Sequence, residues 1–201
     1  MALKESIMTM DNKELVLAYE KKFAALLANE ALVKPKLSAW MIFIPFIFIF
    51  YFQDFSAYKK QRKEFLSNWL LSRKKALNEA EEAIDQGRKP DTKTLAGQAN
   101  LKVKVTDKYE GLLKVMAKHY TLLLNAKGDT YGALVRSAYK NHQGDFLFFV
   151  NQLTDAEKNL NKALSPQLRK TAEGVRDTIK KIEKGSDKLR RLEINEIFAP
   201  A

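Results

Sequence analysis

The chain has 201 residues, with 35 Lys and Arg against 24 Asp and Glu, two His and no Cys. The missing Cys excludes disulfides and thiolate chemistry, and the length bounds the chain to one domain or one helical assembly beside an anchor. Eight Gly and five Pro in a background rich in Ala, Leu, Lys and Glu favour helix almost throughout, so an all-α fold is expected.

The first element is an amphipathic helix over residues 11–33. Asp11 can cap it, with Glu14 in the capping-box position. Val16, Tyr19, Phe23, Leu26 and Val33 share one face, which Glu30 interrupts. Lys34-Pro35-Lys36 ends the helix, because a residue before proline avoids the helical region.

The run Leu37–Phe52, LSAWMIFIPFIFIFYF, comes next and carries no charge. Bases flank it on both sides: Lys34 and Lys36 before, Lys59, Lys60, Arg62 and Lys63 after. As one helix it would be about 24 Å long, slightly short of a bilayer core of about 30 Å. In a span kinked at Pro45, Lys36 and Lys59 would snorkel to the headgroups. Trp40, Tyr51 and Tyr58 would then lie at the interfaces, with Ile44 and Phe48 in hydrocarbon. Alternatively the segment breaks at Pro45, which lacks a backbone donor, and returns to the side it came from. Basic flanks at both ends suit such a hairpin, although polar backbone at membrane depth is costly. A Pro-kinked single span is the expectation, and the hairpin is the alternative. A buried soluble element is the third reading; the Ile-Phe alternation supports it, but both alternating partners are apolar and no wet face exists. The run starts too late and lacks the cleavage site for a leader peptide, and no lipidation box is present.

The polar remainder is basic. Residues 1–52 carry six Lys and Arg against five Asp and Glu, whereas residues 53–201 carry 29 against 19. Such a body suits an anionic leaflet, a nucleic acid or ordinary solvated helix faces. The aromatics lie on apolar stripes and not beside the bases, which argues against nucleic acid. Lys36, Lys59, Lys60, Arg62 and Lys63 are therefore the candidates for contact with lipid headgroups, anionic ones above all.

A long helix over residues 54–85 leaves the membrane, with Leu66, Leu70, Leu77, Ala80 and Ile84 in 4,3 spacing and Arg73 in the same register. Gln86 to Asp91 is a loop. A helix from Thr92 to Ala126 follows, its seam formed by Val105, Tyr109, Leu112, Met116, His119 and Leu123. Asp129 or Thr130 caps a short helix to His142. Gln143-Gly144-Asp145 is read as a break, after which Phe146 to Val150 opens a helix to Leu164. Ser165-Pro166 reads as a helix start. Leu168, Ala172, Val175, Ile179, Ile182, Ser186 and Leu189 then step in a coiled-coil heptad. The expected divisions are 1–36, 37–55, 56–90, 91–164 and 165–201.

No phosphate-binding, dinucleotide-binding, metalloprotease or nucleophile-elbow motif is present. His119, on an apolar seam, reads as a hydrogen-bonded core residue. His142 complements a helix end. Glu79, Glu81, Glu82 and Asp85 read as a solvated face and not a cation site, since no Gly-shaped loop converges their oxygens. No cofactor, metal or catalytic residue is assigned.

The chain is thus expected to be an all-α membrane protein with its bulk on the cytoplasmic side, a multi-helix bundle with coiled-coil-like seams beside the embedded Pro-kinked helix. Its expected role is non-enzymatic, as a scaffold, tether or accessory subunit that binds itself or another membrane protein through Leu168, Val175, Ile179, Ile182 and Leu189. The alternative is a monotopic lipid-binding or membrane-remodelling protein inserted through a hairpin at Pro45.

Overall fold

The computed structural model describes residues 10–31, 58–168 and 175–199. Among them are seven helices and no strand: α1 Asn12–Ala31, α2 Tyr58–Asp85, α3 Thr92–Gly97, α4 Val103–Leu124, α5 Tyr131–Ala138, α6 Gln143–Leu168 and α7 Val175–Ile197. The expected membrane segment, with Lys36, Trp40, Ile44, Pro45, Phe48 and Tyr51, lies outside the described residues. No described helix is long and apolar enough to cross a membrane.

The local signals at helix ends act as the residue types dictate. Asp11 and Glu14 form the capping box: Glu14 N–H donates to Asp11 Oδ1 at 2.7 Å and Asp11 N–H to Glu14 Oε2 at 3.3 Å. Both satisfy amides that the first turn leaves open. Thr130 caps α5 by accepting from Ala133 N–H at 3.2 Å. α2 ends at Gly87, whose φ of 61° suits a residue without Cβ. Arg88 N–H then reaches back to Ala83 O and Gly87 N–H to Ile84 O.

Three boundaries differ from the sequence reading. The helix expected over Thr92 to Ala126 is two, α3 and α4, because the chain turns at Asn100 with φ 51°. Asn tolerates this left-handed conformation. Gln143-Gly144-Asp145 is not a break but the first turn of α6, with Asp145 favourably placed against the helix dipole. Ser165-Pro166 does not start a helix, since α6 continues to Leu168. Leu168 therefore belongs to α6, not to the helix of Val175, and the expected heptad does not run as one helix across 165–189.

A main core draws on all seven helices, from Val16 of α1 through Leu77, Ala96, Leu113, Leu134 and Phe146 to Ile194 of α7. The run Phe146 to Val150 divides by helical period: Phe146 and Val150 are buried, while Leu147 and Phe148 face out. A second apolar cluster joins Phe23, Ala24, Leu27 and Ala28 of α1, Phe65 and Trp69 of α2 and Ile182 of α7, with Leu189 packed against it.

Cross-helix contacts fix the directions. Lys13 meets Glu81, Glu20 meets Arg73 and Phe23 stacks on Trp69; the first numbers rise as the second fall, so α1 and α2 are antiparallel. Tyr19 with Glu193 and Phe23 with Arg190 make α1 and α7 antiparallel. Phe146 with Phe198, Glu157 with Arg190 and Asn161 with Glu183 do the same for α6 and α7. The end of α1, the start of α2, the end of α6 and the start of α7 therefore gather at one pole.

Candidate functional site

That pole is held by aromatic packing. Phe23 and Trp69 stack with ring centroids 5.8 Å apart, and Phe65 lies 6.0 Å from Trp69. The Arg73 guanidinium sits 3.5 Å over the Trp69 ring, a cation–π contact that ties the apolar latch to the polar layer behind it. Ile182 is buried in this latch, Leu189 is half-buried against it, and Ile179 is half-buried against the main core. These three candidate seam residues thus face this chain's own helices. Leu168 ends α6 and Val175 opens α7 on the next helix, so the two are not neighbours on one seam. Of the candidate headgroup bases, Lys59, Lys60 and Arg62 lie in the opening turns of α2, and Lys63 beside them is exposed.

Behind the latch lies a buried polar cluster. Arg73 bridges Glu20 of α1 and Glu157 of α6, at 2.9 Å each. Arg190 of α7 holds Glu157 with both guanidinium nitrogens, at 2.9 and 2.8 Å, and donates to Thr154. Burial alone would raise the Glu157 carboxyl, but Arg190 and Arg73 hold it below its ordinary value. Such a bidentate, doubly paired carboxylate is the geometry in which a buried charge is tolerated.

Glu193 has no such partner. It accepts from Tyr19 O–H at 2.6 Å, while its Oε1 is buried with no hydrogen-bond partner among the described residues. Burial is the main cause that raises its pKa to about 7, and the nearby Glu20 adds to it. Tyr120 O–H donates to Glu20 at 2.7 Å, and Tyr131 stacks on Tyr19 with centroids 3.6 Å apart. A cavity of about 20 Å³ opens among Tyr19, Glu20, Arg73, His119, Arg190 and Glu193, large enough for one water.

His119 is the buried, hydrogen-bonded core residue its seam position implies. Its Nδ1 lies 2.8 Å from the Tyr139 hydroxyl, its ring stacks on Phe149 at 3.8 Å, and burial lowers its pKa to about 3. His142 is exposed and faces Asp145 at 3.5 Å. Glu79 and Glu82 are paired with Arg88, and Glu81 with Lys13. No group of acidic and His residues among the described residues converges on a metal site.

The sequence reading missed the polar cluster, although its signals were present. Arg73 fell in the apolar register of α2. Extending the α7 heptad one step past Leu189 lands on Glu193, and Glu20 follows Val16 by four in α1. A charge in an apolar stripe marks a buried ion pair, because burial without a partner is too costly.

No family model, no curated protein and no solved structure matches the chain.

Proposed function

We propose that this chain is a non-enzymatic monotopic membrane protein: a helical bundle that inserts the apolar run Leu37–Phe52 into one leaflet from its latch pole. The observation that carries this reading is the antiparallel docking of α1 on α2, the two helices that flank the run. A segment that crossed the bilayer would hold its flanks apart by a core of about 30 Å. Here the flanks touch at Lys13–Glu81, Glu20–Arg73 and Phe23–Trp69. These pairs are symmetric about residues 46–47, which puts Pro45 beside the midpoint of the connection. Proline breaks a helix where it stands. Two arms of about eight residues would each reach about 12 Å, close to the depth of one leaflet.

The scaffold reading loses support on the same grounds, because Ile182 and Leu189 of its seam are occupied within the chain. Single cysteines at Asn29 and Ser67, both exposed, test the proposal in a chain with no native Cys. An impermeant maleimide should treat the two sites alike in intact cells and alike after permeabilisation. Labelling of one from outside and the other only after permeabilisation would establish a span and remove the reading.

A further inference from the structure

The chain's positive charge is concentrated in two stretches of its sequence. Residues 21–70 carry eight Lys and Arg against three Asp and Glu, and residues 158–188 nine against four, which together make +10 of the net +11. The described part of the second group belongs to the end of α6 and the start of α7.

The register carries the argument. Phe23, Trp69, Arg190 and Glu157 share one level of the bundle. Six residues toward the pole, about 9 Å along a helix, lie Lys63 on α2 and Lys184 on α7. The Asn161–Glu183 bond brings Lys162 of α6 near the same level, and Lys158, one turn behind it, lies beside Glu157 at the reference level. Lys180 and Lys181 stand one turn further toward the start of α7. All six are exposed, and no ion pair joins them to another described residue. The acids among them are engaged: Glu183 accepts from Asn161, and Asp187 pairs with Arg191.

We propose that Lys158, Lys162, Lys180, Lys181 and Lys184, with Lys63, form a surface for anionic phospholipid headgroups around the point where the apolar run leaves the bundle. This rests on the same-side insertion proposed above and gives it a lipid class. A bilayer fits better than a nucleic acid on two grounds. The surface lies at the pole where α1 ends and α2 begins, the two helices that flank the uncharged run in sequence, and an inserted run would bring it to a bilayer. Among the described residues of this pole, Phe23, Phe65 and Trp69 are buried and offer no ring for a base to stack on.

Flotation of the full chain with vesicles tests the surface and separates it from insertion. Phosphatidylcholine vesicles report insertion, and vesicles that also contain phosphatidylglycerol report insertion plus headgroup binding. Each base near an anionic surface adds roughly fivefold in partitioning. The wild type should therefore prefer the mixed vesicles by at least about tenfold, and salt should erode the preference. The variant K158Q/K162Q/K181Q/K184Q should bind neutral vesicles like the wild type and reduce the preference by at least about tenfold, with an unchanged melting temperature as the folding control. Lys63, Lys180 and the bases flanking the run keep the remainder. A smaller reduction in the variant overturns the surface, as does a wild type that binds both vesicles equally; insertion stands in either case. Failure to bind either vesicle overturns both proposals. A DNA duplex that displaces the wild type from mixed vesicles, but does not bind the variant, would assign these bases to nucleic acid and overturn the lipid assignment.

Discussion

Glu193 and His119 lie on the same cavity and make opposite demands on pH. The Glu193 pKa is raised from 4.5 to about 7, so the native state keeps a proton there that the unfolded chain releases. Its stabilising contribution is complete below about pH 4.5, is lost as pH rises to about 7, and amounts to about 3 kcal/mol. The His119 pKa is depressed from 6.5 to about 3, so acid favours the unfolded chain, and its contribution is lost as pH falls below about 6.5. Between about pH 4.5 and 6.5 the two slopes oppose each other at about 1.4 kcal/mol per unit each. Glu157 and Asp91, both held low, titrate below this window. The wild type should be nearly flat across it. E193Q should gain stability with rising pH and H119Q should lose it, as urea midpoints would show; an E193Q curve parallel to the wild type would refute the assignment. Two further residues act through close approach. Asn12 Nδ2 donates to the carbonyls of Leu123, Leu124 and Ala126 at 2.8 to 3.3 Å, closing the last turn of α4 from a helix more than 100 positions away. Leu123 O also accepts from Ala126 N–H, so replacing Asn12 with Leu removes the side-chain donor chiefly from the Leu124 and Ala126 carbonyls and should cost about 1–3 kcal/mol. A Cβ at Gly128 would stand 2.8 Å from the backbone of Ala133 and Leu134, so G128A should cost a similar amount through overpacking, read as a lowered urea midpoint.

Helices were more legible than the points where they stop. Periodicity located α1, α2 and the cores of α4 and α7, because each has an apolar stripe to bury, whereas a capping residue located α5 and the apolar patch Phe146 to Val150 located α6. Their ends depended on single residues whose effect is conditional. Ser165-Pro166 has the composition of a helix start, yet proline in a helix removes only its own donor and obstructs one carbonyl behind it, and α6 runs on to Leu168. Asn100 gave no warning of the α3–α4 turn, since asparagine takes the left-handed region by permission and not by need. Of the expected heptad, Ile179, Ile182 and Leu189 lie on an apolar seam of α7, but a seam does not state its occupant. Here the occupant is α1 with α2, through Phe23, Leu27, Phe65 and Trp69. Trp69→Ala removes the centre of this latch and the ring under Arg73. It should cost about 3–5 kcal/mol and raise hydrogen exchange in Phe23 to Ala28 ahead of Val16 and the main core. Uniform loosening of α1 would show instead that the latch is not a separate unit.

At the scale of the whole molecule, the polar cluster and the latch are successive layers of one bundle, and the bases crowd toward the same pole as the latch. Composition showed that the body is basic, and the apolar run is the part that the proposed insertion would place in hydrocarbon. Neither could show that residues 158–188 return to the end where residues 21–70 meet, because that follows from three antiparallel pairings. The longest of these joins Tyr19 to Glu193, 174 positions apart. During synthesis at about 5–20 residues per second, that separation is an interval of roughly 10–35 s. Once Trp69 has been made, a further 113 positions separate it from Ile182, and over that stretch Phe23, Leu27 and Trp69 wait for Ile182 with the apolar run already synthesised. A nascent chain halted before residue 175 should stay open to protease in α1, whereas the finished chain should be protected there. Under the proposed insertion, the run would meet the leaflet as part of an unfinished wall, and α7 would close the bundle only afterwards.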